Sequence, residues 1–189
     1  MVTKSERIVR AMPYGEALFH LCRDRGITRP DIERMYEYAA DLRNHHTLLV
    51  LADSAVVSAD VLAKIFKQYA IVFGDELLFH RLIAILHRHR LFPLIPDIIE
   101  YVASLLAQRI SLGIYTCSSA TNLDSARREQ IDQRVRSFGG YRDTLPIYRV
   151  DESLIAGFVI KSNDGWSADY SVRGSLQAVA DRLTREGLL

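Results

Sequence analysis

Cysteine is scarce in this chain. Cys22 and Cys117 are the only two in 189 residues, and with no Cys-x-x-Cys pair they offer neither a disulfide framework nor a zinc module. Two reduced thiols, as in a cytosolic compartment, are the expectation. Charge of one sign is also missing: 24 Lys and Arg against 23 Asp and Glu leave a formal net charge of +1, which argues against a chain whose main task is to hold a polyanion. Long apolar runs are absent too. Stretches such as Leu48 to Ala52 and Leu82 to Leu86 fall far short of the ~20 residues that span a bilayer, and residues 1–12 have neither the apolar run of a secretory signal nor the basic richness of a transit peptide. Glycine-rich phosphate loops are the last absence. Gly113 and Gly139-Gly140 lack a Lys-Ser or Gly-x-Gly-x-x-Gly setting, so no nucleotide binding and no cofactor are expected.

What is present is ordinary globular composition, 49% hydrophobic and 25% charged, enough for one large domain or two small ones. The pattern divides the chain into residues 1–109 and 110–189, an α+β arrangement of a six-helix bundle followed by a small α/β module with a β-hairpin. In the first part, Pro13 is expected to start a helix ended by Gly26, with Tyr14, Ala17, Leu18, Leu21 and Cys22 on one face. Pro30 and Asp31 start a second helix that runs toward Asn44, and His46 to Ala52 makes a third. Ser58 caps a fourth, with Val61, Ile65, Phe66, Tyr69 and Val72 inward and Gly74 as its stop. The fifth runs from Asp75 to about His89 and should bury Leu78, Leu82, Ile85 and Leu86. The sixth takes Pro93 and Pro96 into its first turns.

After Arg109 the period shifts from helical to alternating. Ile110, Leu112, Ile114 and Thr116 read as a strand, Asp124 to Phe138 as a polar helix closed by Gly139-Gly140, and Leu145 to Val150 as a second strand. Leu154 to Ile160, the turn Asn163-Asp164-Gly165 and Trp166 to Tyr170 form a hairpin. Ser171 then caps a last helix whose Val172, Leu176, Val179 and Leu183 make an apolar stripe.

Candidate chemistry is thin. His80, His87 and His89 cluster with Arg81, Arg88 and Arg90, but no two of the histidines are four apart, as helical zinc ligands would be. Arg127, Arg128, Arg134 and Arg136 form a basic face interrupted by Asp124, Glu129 and Asp132, which reads as a solvated, salt-bridged surface. Ser118 and Ser119 have no nucleophile elbow. No catalytic residue and no metal site are expected. Small residues among larger ones on the first and fifth helices (Tyr14, Ala17 and Leu21; His80, Ile83, Ala84 and His87) make a groove for another amphipathic helix, although periodicity alone favours bundle core. A weak nucleic-acid-binding or adaptor role for the basic helix faces is the alternative from another class.

Asp151-Glu152-Ser153-Leu154-Ile155-Ala156-Gly157, then Asp169 and Ser171-Val172-Arg173-Gly174, resemble in order and spacing the C-terminal signature of the delta subunit of rotary ATP synthases, homologous to the mitochondrial oligomycin-sensitivity-conferring protein. Tyr14-Gly15-Glu16-Ala17-Leu18-Phe19 is similar to the family's opening Tyr-Ala-x-Ala-Leu-Phe, and His89-Arg90-Leu91 with Pro96-Asp97 to its Asn-x-Arg-Leu and following helix start. Gly15 for Ala, Ala156 for the first Gly of Gly-Gly, and missing prolines near Ser54-Ala55 and Thr121-Asn122 are departures. The resemblance implies a non-catalytic stator subunit for ATP synthesis and hydrogen ion transport, peripheral on the cytoplasmic side of a bacterial inner membrane. It further implies that Tyr14, Ala17, Leu21, His80, Ile83, Ala84 and His87 bind N-terminal helices of the noncatalytic alpha subunits of the catalytic head. The C-terminal end of the stalk b subunit would meet the second part near Asp151, Gly157, Asp169, Ser171 and Arg173, with no nucleic acid partner and no direct membrane insertion.

Overall fold

In a computed structural model of the chain, residues 4–22, 24, 26–54, 57–67 and 76–185 are described. The architecture is α+β. The chain falls into two compact units, Met1–Leu106 and Ala107–Leu189, each considered below by itself. Among the described residues the first unit contributes helices α1 (Lys4–Cys22), α2 (Arg29–Asn44), α3 (His46–Ala52), α4 (Ala59–Ile65), α5 (Glu76–Arg88), a 3-10 turn (Phe92–Leu94) and α6 (Ile95–Arg109), whose last residues run into the second unit.

The first helix begins nine residues before Pro13, which lies inside it. A proline there removes one backbone bond and costs on the order of 3 kcal/mol. Burial of Ala11, Leu18 and Cys22 on one stripe, together with an anchor at Arg7, outweighs that cost. The helix also stops at Cys22, short of Gly26. Thr28 precedes α2, and the Asp31 carboxylate accepts from the Thr28 N–H at 2.9 Å. The Thr28 hydroxyl and backbone N–H hydrogen bonds hold the Asp31 carboxyl below its usual range, so the start expected at Pro30 and Asp31 is a capped one. Ser58 caps α4 by accepting from the Val61 N–H, but Leu62 and, just past the helix, Phe66 are buried while Val61 and Ile65 stay half exposed. Tyr69, Val72, Gly74 and Asp75, the expected continuation and stop of that helix and start of the next, lie outside the described residues.

Helix α5 buries Leu82 and Leu86 as expected, with Phe79 and Ile83 in place of the expected Leu78 and Ile85. Leu77 to Phe79 and Leu82 to Leu86 are nearly continuous apolar runs, so helical periodicity admits several faces there. Packing against α4 and the 3-10 turn selects one. That turn is fastened by Asp53, whose Oδ1 accepts from the Phe92 N–H at 3.1 Å, and by Phe92 stacking against Phe66.

The second unit holds β1 (Leu112–Ser119), α7 (Ser125–Gly139), β2 (Asp143–Val150), a 3-10 turn (Glu152–Leu154), β3 (Phe158–Ser162), β4 (Ser167–Asp169) and α8 (Val172–Arg185). The sheet order is β2-β1-β3-β4. β1 and β2 are parallel with Leu112 opposite Asp143, so α7 is the crossover that parallel strands require. β3 pairs antiparallel with β1, and β4 with β3. Leu112 to Tyr115 are all buried, so β1 is covered on both faces in its first half and does not show the expected alternation. Ile110 precedes the strand. Asp124 caps α7 through the Arg127 N–H at 2.7 Å, and Gly140 at φ 65° ends it. Ile131 and Val135, one turn apart, press onto Tyr115, Cys117 and Ile160 to form the core.

The hairpin pairs Val159 with Asp169 through Lys161 with Ser167. Leu154 to Gly157 is not its first half, as expected, but a tight 3-10 and γ-turn connection. Val179 and Leu183 have side chains outside the described residues. Val172 and Leu176 are exposed, so this end of the expected stripe is uncovered.

Candidate functional site

On α1 the buried stripe is Ala11, Gly15, Leu18 and Cys22. Tyr14, Ala17 and Leu21 recur at i, i+3 and i+7 on the neighbouring face. Tyr14 is half-buried, Ala17 is exposed and Leu21 is 58% exposed. Gly15 is required by a close approach: a Cβ there would sit 2.4 Å from Cδ1 of Tyr101, so the small residue in the Tyr-Gly-x-Ala motif admits an aromatic ring from α6.

On α5, His80, Ala84 and His87 share a face that borders the core. His80 is exposed and its Nε2 lies 3.4 Å from Asp60 Oδ1 on α4, while Ala84 and His87 are half-buried. The His87 ring stands edge-on to Phe92 at 6.2 Å. Ile83 corrects the expected groove lining: at 0% exposure it belongs to the bundle core. Its position at the border of the two faces, one residue from Leu82 and three from Leu86, is why periodicity did not separate them. Both helices also pack on the Phe92–Leu94 turn.

In the second unit the five signature residues form one connected knot. Asp151 Oδ1 accepts from the Ser153 N–H at 3.1 Å, and Ser153 Oγ accepts from Arg173 Nη1 at 3.2 Å. Gly157, at φ 85°, passes so close to the next segment that a Cβ would lie 2.2 Å from the Tyr170 carbonyl oxygen. Asp169 Oδ1 accepts from the Ser171 N–H at 2.8 Å, and the buried Ser171 Oγ accepts from the Gly174 N–H at 2.9 Å, capping α8. Side-chain and backbone hydrogen bonds from Ser153 and from Ser171 hold the Asp151 and Asp169 carboxyls below the usual range. The knot is structural. What it presents outward is Val172 and Leu176 of the expected stripe, joined by two exposed apolar residues that sequence reasoning did not assign to a surface, Ile155 (67% exposed) and Tyr170. Ile155 has the composition of a strand residue, and the Asp151-Glu152-Ser153 turn signal just before it is the available cue.

Polar groups in the core of the second unit are internally paired. Tyr115 is fully buried and donates to Asp132 Oδ1 at 3.1 Å, with Tyr148 alongside at 3.4 Å. Burial, then hydrogen bonding to Tyr148, pushes the Tyr115 hydroxyl far up, and burial raises the Cys117 thiol to about 11. Ser119 Oγ donates to the Thr121 carbonyl at 2.6 Å. Arg136 pairs with Asp132 at 3.0 Å and Asp143 at 3.4 Å, and Arg127 lies 3.8 Å from Asp124, so part of the basic face is locally balanced. Among the described residues no three His, Cys, Asp or Glu side chains converge as a metal ligand set, and no helix is long and apolar enough to cross a membrane.

The described residues thus form an α+β protein that carries exposed apolar side chains on its helices and on a capped turn. Residues 11–183 match the family model of the ATP synthase delta (OSCP) subunit, and the chain belongs to that family, whose members are structural and not themselves catalytic. Among its relatives, the chloroplastic ATP synthase delta chain of Chlamydomonas reinhardtii is 30% identical over 182 residues, covering 92% of this chain and 78% of that one. The ATP synthase subunit delta of a Nostoc species is 24% identical over 97% of this chain and 99% of its own. The fold is also that of a chain in the Toxoplasma gondii mitochondrial ATP synthase hexamer, with a TM-score of 0.70, 14% identity and coverage of 92% and 97%.

Proposed function

We propose that this protein is the stator adaptor of a rotary, proton-translocating ATP synthase, tying the catalytic head to the peripheral stalk so that the head does not turn with the rotor. The N-terminal part, residues 1–109 as a six-helix bundle, takes N-terminal helices of the head's noncatalytic alpha subunits along α1 and α5. Residues 110–189 take the C-terminal end of the stalk b subunit. The complex lies at a bacterial inner membrane, with this subunit peripheral on the cytoplasmic side. The observation that carries the reading is that each unit exposes an apolar stripe where the family resemblance expects a partner: Tyr14, Ala17 and Leu21 on one, Ile155, Tyr170, Val172 and Leu176 on the other. Torque resistance requires large noncovalent interfaces, and exposed apolar anchors on rigid elements are what such interfaces use.

The test is separable by unit. Ala17→Asp or Ala84→Asp places an unpaired charge in the α1–α5 face and is expected to abolish binding to the isolated head while stalk binding and the unfolding midpoint stay at wild-type values. Leu176→Asp is expected to do the converse. Full head binding by both alanine variants overturns the assignment of the face.

A further inference from the structure

A cavity of about 310 Å³ opens between the first half of α1 and the exit of α5, lined by Arg7, Arg10, Arg90, Leu91, Pro93 and Leu94. Arg7 is already committed, donating to Asp97 Oδ2 at 3.0 Å and to the Pro93 carbonyl at 2.8 Å. Arg10 and Arg90 have no ion-pair partner among the described residues, and no carboxylate lines the cavity. It is therefore a concave site with surplus positive charge and an apolar wall.

Arg90 carries a second, independent oddity. It adopts φ 53° two residues past the end of α5, with its N–H bonded to the His87 carbonyl at 3.2 Å and the Leu91 N–H bonded to the Leu86 carbonyl at 2.9 Å. That is the left-handed closing residue of a helix, a position glycine takes without strain and arginine does not. Its side chain is exposed, so no buried contact of that side chain offsets the strain. A charged side chain held in a strained, exposed position beside a cavity points to a role outside folding.

The cavity is also in line with the docking face. Arg10 lies four residues before Tyr14 and seven before Ala17, on the same stripe of α1, while Arg90 lines the same cavity from the exit of α5. At 1.5 Å per residue, Arg10 stands about 10 Å along the axis from Ala17.

We infer that this cavity is the carboxylate pocket of the head-binding face. It receives an Asp or Glu placed about two turns from the apolar residue that seats on Ala17, so the partner is an acidic amphipathic helix. This rests on the docking reading above and adds the partner's chemistry and register to it. The two arginines fix that register, because an apolar stripe alone tolerates sliding by a turn and a paired charge does not.

The experiment uses the full chain, the isolated catalytic head, and a synthetic peptide of the head's noncatalytic N-terminal helix. Arg10→Ala with Arg90→Ala is expected to weaken head binding by about tenfold or more and to flatten its salt dependence. Arg90→Gly is expected to raise the melting temperature while lowering affinity, a combination that a merely structural arginine would not give. Changing the peptide's acids singly to amides should weaken binding to the wild-type chain and leave binding to the double variant unchanged. Wild-type affinity and salt slope in the double variant overturn the inference, as does full competition by inorganic phosphate at constant ionic strength, which would make this a small-anion site. If Ala17→Asp also binds normally, the docking reading has failed as well; if Ala17→Asp alone loses binding, only the carboxylate pocket has.

Discussion

Arg7 and Asp97, ninety positions apart in sequence, meet at 3.0 Å between Nε and Oδ2 and bind α1 to the first turn of α6. The Asp97 side chain is 7% exposed and also accepts from Arg43 of α2 at 3.2 Å. Arg43 in turn bonds Glu100, a contact that pushes its pKa up while burial opposes the shift. Three helices thus converge on one buried carboxylate. Removing the arginine on α1 leaves Asp97 paired with Arg43, whereas removing Asp97 takes the shared carboxylate from two guanidinium groups that are only about a third exposed, leaving Arg7 with the Pro93 carbonyl alone and Arg43 with Glu100 alone. Asp97→Ala is accordingly expected to cost about 3 kcal/mol, and Arg7→Met about 1 kcal/mol. Urea unfolding of the two variants tests the order; equal costs would mean the network is not centred on Asp97.

Gly15 sits mid-helix, where alanine is ordinarily better by about 1 kcal/mol. Here the Tyr101 ring occupies the space a Cβ needs, and the Tyr101 hydroxyl donates to Glu16 at 3.4 Å. Gly15→Ala is expected to destabilise despite its propensity gain. Gly15→Ala with Tyr101→Leu should recover part of the loss, and denaturant midpoints for the two decide whether the ring is the obstacle.

Asp151, Asp169 and Asp31 each have a carboxyl pKa lowered by hydrogen bonds to nearby N–H and hydroxyl groups. A group whose pKa is depressed on folding stabilises the native state fully above its unfolded value, about 3.9, and loses that contribution as pH falls through its native value. Stability is therefore expected to drop as pH falls below about 4. Asp169→Asn should remove that contribution, lowering stability near neutrality and flattening the acid limb. Unfolding midpoints across the range check it, and an unchanged acid limb would remove Asp169 from the account.

How much of this was legible in the sequence depends on how local the cause is. The starts of α2, α4, α7 and α8 were readable because Pro30 with Asp31, Ser58, Asp124 and Ser171 act within one turn of themselves. The hairpin turn at Asn163-Asp164-Gly165 was readable for the same reason. Pro13 misled because its effect is local while the contacts that override it, Arg7 to Asp97 and Pro93, are not. Leu82 to Leu86 carried too many apolar residues for a single face to stand out, which is how Ile83 was taken for groove lining. Leu154 to Ala156 had the composition of a strand; only the Asp151 cap, and Gly157 pressed against Tyr170, bend it into a turn.

That turn contains a further test. Ile155 has φ 67° and ψ −57°, with the Ala156 N–H bonded to the Leu154 carbonyl at 2.8 Å, a γ-turn of the strained hand. For a β-branched residue this costs roughly 1–3 kcal/mol, while glycine in its place loses roughly 0.5–1 kcal/mol of chain entropy. Because the side chain is largely exposed, little burial is forfeited. Ile155→Gly is thus expected to stabilise by about 1 kcal/mol and, on the docking reading, to weaken stalk binding. Two residues on, the logic reverses: Gly157 has φ 85° and no room for a Cβ beside the Tyr170 carbonyl, so Gly157→Ala should destabilise by about 2 kcal/mol or more. Paired unfolding curves read both signs. A loss of stability in Ile155→Gly would show that the exposed isoleucine is held by packing, and its strain would then need no function to explain it.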